Sequence, residues 1–277
     1  MIRQDSANFT ESDERWWEVA LTEDGWLDWA SRDTGPPEKT YSSRNTVDFY
    51  VAHSAVGFFP GWRSRLFSNE RRADGLFTAY AAASAHGWVA YDGKVVQHYP
   101  LTASCWASGS REVNTRGVAF ETEGGAPGNV NEPLSVAQIA SHVRILEDIA
   151  AWKGVGLEYW RRPASEWDVR ASLYEHNECS RFGSPPTACP SDRFPWDIIE
   201  IALGATPCAD ADLSPPGFVQ EPGEAFIRRH LWTGKRLHYM RSAAMREDMA
   251  DFLGISPLPQ LISEATWRRI GGTGNES

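Results

Sequence analysis

Read for the spacing of its apolar residues, the chain changes character at Thr46. The run TVDFYVAH (46–53) is β-branched and aromatic, and apart from Asp48 both of its faces are apolar, which predicts a largely buried strand. HGWVAYDGKVVQHYP (86–100) contains two strand-like runs joined by Asp92-Gly93, the dipeptide favoured by a type I′ hairpin turn. RGVAFETEGG (116–125) reads as a further strand ending in glycines. The period then lengthens. In LSVAQIASHVRILEDIAAWKG (134–154), Val136, Ile139, Ala140, Val143, Leu146 and Ile149 form one helical stripe, with Ser135 as N-cap and Gly154 as stop. WDIIEIAL (196–203) predicts another helix. Interspersed strands and helices give an α/β (α+β) class, a mixed central β-sheet flanked by helices.

The same pattern sets the domain boundaries. Residues 1–45 are polar and tryptophan-rich, close on the breaker run DTGPPEKTYSSRN, and are expected to form an N-terminal extension packed on the core. Residues 46–203 form the main domain. GATPCADADLSPPGF marks a linker at 204–217. Beyond it, Leu237, Met240, Met245, Met249, Phe252 and Leu253 fall near helical spacing before Gly254, so 218–277 is expected to be a small helical C-terminal unit, with plain packing, a dimer interface or wall targeting as its possible roles.

Composition narrows the class. The chain has 277 residues, 42% of them hydrophobic, enough for one full core with residues to spare. Its formal net charge is −10 and no Lys/Arg run exceeds two residues, so nothing marks a nucleic-acid footprint. No stretch approaches a membrane span, and MIRQDSANFTESDERWW lacks the regions of a secretory signal, so the expectation is a monomer made in the cytoplasm. Four scattered cysteines (Cys105, Cys179, Cys189, Cys208) are too few for a disulfide framework, which leaves metal ligation as one explanation for at least one of them.

EHNECSRFGSPPTACPSDRFPWD (175–197) holds a histidine and a cysteine at the two ends of a turn-rich loop. Together with His53 at the end of the first strand, His176 and Cys189 would make an open set of three donors, the arrangement of a catalytic zinc site. Singly, each residue reads as well as a satisfied core histidine or a small buried thiol.

The blocks YVAHSAVG, ASAHGWVAYDGKVVQHYPLTASCWASG, NTRGVAFETEGG, LSVAQIASHVRILEDIA and EHNEC…PPTACPSDRFPWD, in that order, resemble the type 2 N-acetylmuramoyl-L-alanine amidases, a family that includes phage endolysins, recycling amidases and peptidoglycan recognition proteins. The resemblance covers roughly Thr46 to Leu203. It implies Zn2+ held by His53, His176 and Cys189, with bacterial peptidoglycan as substrate. It also implies Glu121 as general base, Glu123 being the alternative on the same strand face, and Thr187 as a helper to the oxyanion. The implied reaction is hydrolysis of the amide between N-acetylmuramic acid and L-alanine.

Some positions depart from the family pattern. Ala85 precedes His86 where the endolysin branch has tyrosine, and Trp106-Ala107-Ser108-Gly109 replaces a Trp-His-Ala-Gly block, leaving Trp106 either to stack on substrate or to pack as core. His86, His98, His142 and Cys179 are expected to be structural. A phage endolysin is the first expectation; a cytoplasmic recycling amidase and a non-catalytic wall-binding or virion protein of the same fold are the alternatives.

Overall fold

A computed structural model describes residues 21–164, 168, 170–204, 217–220, 229–232, 237–240, 249, 252–253 and 260–261. In chain order the first elements are strands β1 (Ser31–Arg32), β2 (Thr40–Tyr41) and β3 (Phe49–Ser54), then helix α1 (Phe59–Phe67). Strands β4 (Gly87–Val89), β5 (Val95–Gln97) and β6 (Ser104–Cys105) precede helix α2 (Arg111–Arg116) and strand β7 (Gly117–Thr122). Helix α3 (Val136–Lys153), strand β8 (Leu173–Glu175) and helix α4 (Trp196–Ala202) complete the main domain.

Six strands form one mixed sheet in the order β1-β5-β4-β7-β3-β8, so the expected mixed sheet flanked by helices is the fold. Only the β4–β5 pair within it is antiparallel; β4, β7, β3 and β8 run parallel to one another. Strand β3 lies inside the sheet between β7 and β8 and is buried at every position, which is why its sequence is apolar on both faces. The β4–β5 turn is not type I′. Of Asp92 and Gly93 only the glycine has positive φ, and Gly93 N–H donates to Ala90 O, giving a three-residue loop with glycine in the left-handed position.

Helix α3 begins at the expected cap: the Ser135 side chain accepts from Gln138 N–H while the Gln138 side chain accepts from Ser135 N–H, and the helix ends on left-handed Gly154. Its face of Ile139, Val143, Ile145, Leu146 and Ile149 is buried in a core shared with Tyr50, Val118, Phe120 and Leu173 of the sheet. Inside that interface His142 joins Tyr50 Oη (2.7 Å) to Thr122 Oγ1 (3.0 Å). From the N-terminal segment, Leu21 and Leu27 enter the same core and Trp29 Nε1 donates to Asp148 Oδ2 at 2.7 Å; residues 1–20 lie outside the described residues.

The C-terminal region departs from the helical expectation. Strands β9 (Gly217–Gln220), β10 (Arg229–Trp232), β11 (Leu237–Met240) and β12 (Gln260–Leu261) form a second sheet in the order β11-β10-β9-β12. Apolar spacing at Leu237 and Met240 suits a helical turn as well as a strand, and the full-length pairing of β11 with β10 decides for the strand. Among the described residues of that region, only 249 and 252–253 are helical, and Met249 is buried in the main core.

The loop from His176 to Pro195 is fastened to the sheet by one buried arginine. Arg193 is 1% exposed; it donates through Nη1 to Ser54 Oγ (2.8 Å) and Thr122 O (3.2 Å), through Nη2 to Glu123 O (2.7 Å), and through Nε to Glu132 O (2.7 Å). Burial holds its pKa below the usual arginine range, but these acceptors keep the group satisfied. Arg193→Met is expected to lower the unfolding free energy by about 3 kcal/mol, because four acceptors, two in fully buried bonds and two in half-buried ones, lose their donor. Urea unfolding of the metal-free protein checks this, and a loss under about 0.5 kcal/mol would show that the arginine is not the fastening.

Candidate active site

Parallel pairing places the candidate groups at the carboxyl ends of three adjacent strands. In the β3–β7 ladder His53 stands opposite Glu121, and in the β3–β8 ladder Ala52 stands opposite Glu175, so His176 follows at the next step. His176 opens a 3-10 turn, His176–Phe182, whose entry is fixed by a reciprocal cap between Glu175 and Glu178. Arg162 clamps Glu178 with two 2.7 Å hydrogen bonds, and Trp196 Nε1 donates to Glu175 Oε1 at 2.8 Å. The loop then returns Cys189 to the end of β3, where its Sγ accepts from Ser54 N–H at 3.2 Å.

His53, His176 and Cys189 therefore converge. One donor atom from each lies within 4.8 Å of the others, and the two imidazole centroids are 4.5 Å apart. His53 Nδ1 is 3.9 Å from Cys189 Sγ and 4.0 Å from Glu121 Oε1. Burial holds His53 well below the usual imidazole range, with His176 and His86 adding to the effect, so its contact with Glu121 is not an ion pair. Burial also lowers the His176 pKa, and it raises that of the Cys189 thiol to about 12.

Glu121 is the other half of the site. Its side chain is 13% exposed, Oε2 is buried with no hydrogen-bond partner, and burial pushes its pKa up to about 7 against a smaller opposing pull from Arg65. Glu123 is engaged elsewhere: its carboxylate accepts from Tyr91 N–H (2.8 Å) and Phe59 N–H (3.4 Å) and ties two loops together. An orphaned carboxyl oxygen beside two neutral imidazoles and a protonated thiol fits a divalent cation, which would stabilise the thiolate and carboxylate that burial alone disfavours. The donor set, two nitrogens and a soft sulfur, suits zinc.

A cleft of about 380 Å³ opens beside Glu121, lined by Tyr41, Trp62, Arg65, Trp106, Gly109 and Asn114. Trp106 stands between Tyr41 and Phe77, with ring centroids 6.0 and 5.8 Å away. Thr187 Oγ1 accepts from Cys189 N–H at 3.1 Å, which holds the loop turn and leaves its hydroxyl hydrogen as a donor. A larger cavity of about 430 Å³, between Phe49, Arg116 and Tyr174, opens at the other end of the same strands and is lined by none of these donors.

The remaining histidines of the main domain are spoken for. His86 bridges Ala103 O and Ala119 N–H, and His98 bridges Asp33 O and Trp62 Nε1–H. Cys179 is fully buried against Phe49 and Tyr174. Sequence reading missed Tyr41, Arg65 and Asn114; the one cue for Arg65 was Pro60, which sits in the first turn of α1 as helix starts favour.

Neutral donors that could hold a metal ion converge beside a buried carboxyl, at the carboxyl ends of parallel strands and the edge of a cleft, an arrangement that suits a hydrolase. The chain belongs to the N-acetylmuramoyl-L-alanine amidase family: the family model matches residues 43–192. It is thus a peptidoglycan amidase. Among solved structures, the endolysin amidase LysCS from Clostridium intestinale URNW is 16% identical, with 64% of this chain and 96% of that one covered and a TM-score of 0.41. A selenomethionine derivative of AmpD is 17% identical over 66% and 98% (TM-score 0.44), and the catalytic domain of XlyA 16% over 63% and 99% (TM-score 0.42). No curated protein sequence matches the chain.

Glu121 gives the metal-free protein a signature in pH. With a folded pKa of about 7 against an ordinary 4.5, it holds a proton that the unfolded chain releases. Its contribution to stability is therefore present at low pH and lost as pH rises through about 7. Glu121→Gln is expected to stabilise the metal-free protein at about pH 8, by on the order of 2 kcal/mol relative to its effect at about pH 5. Urea unfolding at the two pH values reads the difference, and equal effects at both would rule out the raised pKa.

Proposed function

We propose that the chain is a zinc-dependent amidase that cuts the bond between N-acetylmuramic acid and L-alanine in assembled bacterial peptidoglycan, acting as an endolysin. The observation that carries this reading is the unpartnered Glu121 Oε2 beside the converging His53, His176 and Cys189. Zinc, when bound by those three residues, supplies Lewis-acid polarisation of the scissile carbonyl.

The chain's own groups do the rest. Glu121 takes a proton from the attacking water and returns it to the departing nitrogen of L-alanine, and a pKa near neutrality suits both transfers. Thr187 donates its hydroxyl hydrogen toward the developing oxyanion. Trp106 and Tyr41 offer aromatic faces along the cleft for a sugar ring. Two features favour the assembled wall over a soluble muropeptide: the aromatic flank of the cleft, and the continuation of the chain past the family match into a second sheet.

Chelation is expected to abolish the release of new L-alanine amino termini from purified sacculi, and added zinc to restore it. Glu121→Gln and His176→Ala should each lower turnover at least about 100-fold; unchanged turnover in either would refute the assignment. Faster turnover of soluble anhydro-muropeptides than of sacculi would favour a recycling enzyme instead.

A further inference from the structure

Both imidazoles of the candidate metal site meet the same small residue. Ser108 lies between β6 and α2, is 1% exposed, and puts its Oγ 3.3 Å from His53 Nε2. Its main-chain carbonyl lies near enough to the His176 ring to oppose weakly the lowering that burial causes there. Since His53 Nδ1 is the nitrogen that faces Cys189 and Glu121, Nε2 must carry the proton whenever Nδ1 offers its lone pair. The Ser108 hydroxyl oxygen is where that proton points.

Ser108 is itself held rigidly. Its N–H donates to the buried Asn114 Oδ1 at 2.9 Å, and Ser110 Oγ donates to Phe182 O at the end of the His176 turn. Gly109 between them has φ +68°, and a Cβ there would come within 2.7 Å of Pro185 on the Cys189 loop, so the strap and that loop pack backbone against ring. Three segments that carry or support the donors thus meet at residues 108–110.

We infer that Ser108 is a positioning residue for the candidate metal site, fixing the His53 ring through its hydroxyl, with its carbonyl turned to the His176 ring. The inference rests on the reading of His53, His176 and Cys189 as metal donors. Outer groups of this kind set ligand tautomer and orientation, and their loss lowers metal affinity by about 10- to 100-fold. Removing the hydroxyl addresses only the His53 half, because the carbonyl survives substitution.

Two measurements on the full chain test it. In the native metal-free protein at about pH 7.5, long-range nitrogen–proton NMR correlations should show His53 protonated on Nε2; protonation on Nδ1 would overturn the inference without any variant. Ser108→Ala should mix the His53 tautomers, leave the His176 signals unchanged, and weaken zinc binding about tenfold by chelator competition. Ser108→Thr, which keeps a hydroxyl on the same carbon, should recover most of that loss. If Ser108→Ala binds zinc within about twofold of native while His176→Ala and Cys189→Ser lose it, Ser108 has no such role although the metal reading stands. If His176→Ala and Cys189→Ser also keep native affinity, the metal reading itself fails.

Discussion

Everything at this site depends on the parallel register of three short strands. His53 faces Glu121 across one ladder and His176 follows Glu175 across the other, so the two donors and the carboxyl meet only in that alignment. A slip of one residue would turn His53 toward α3 and bring Ala52 or Ser54 to the site, because strand side chains alternate between faces. Burial guards against it. The face opposite His53 carries Tyr50 and Ala52 into the α3 core, so a slipped strand would also exchange those residues for His53.

The donors on loops need a different guard. Cys189 lies 136 residues from His53, in a segment without a ladder of its own. Arg193 supplies the constraint, since its bonds to Ser54, Thr122 and Glu123 hold the loop end against the strands that carry His53 and Glu121. Such an arginine needs no opposite charge alongside, because a planar fork can satisfy several carbonyls at once. Among the described residues no arginine or lysine forms an ion pair with Glu121, whose pKa burial raises to about 7.

Much of this architecture was legible in the sequence, and the remainder is missing for definite reasons. The strand at 46–53 and the helix from Ser135 to Gly154 are long, periodic and capped, so local pattern suffices. Helix α1 was missed because FPGWRSRLF has Gly61 and two arginines among its apolar residues and shows no clear stripe. The strand β8 is three residues long, and β11 owes its state to a partner strand rather than to its own spacing. The metal donors and Glu121 came from ordered motif blocks, whereas Ser108 and Arg193 act through contacts 55 or more residues away that no spacing reveals.

The N-terminal segment supports one wall of the cleft through a contact that sequence could not show. Lys39 is buried and donates through Nζ to Arg65 O (3.1 Å) and Leu66 O (2.6 Å), capping the C-terminal end of α1. Arg65, on that last turn, donates through Nε to Tyr80 O (2.9 Å) and lines the cleft beside Glu121 without forming an ion pair with it, closer contact being what would lower the raised pKa. Arg65 still opposes the shift that burial causes. The acidity of Glu121 is thus a balance between desolvation by burial and the opposing pull of one guanidinium, carried by a helix whose end is capped by a lysine 82 residues upstream of Glu121.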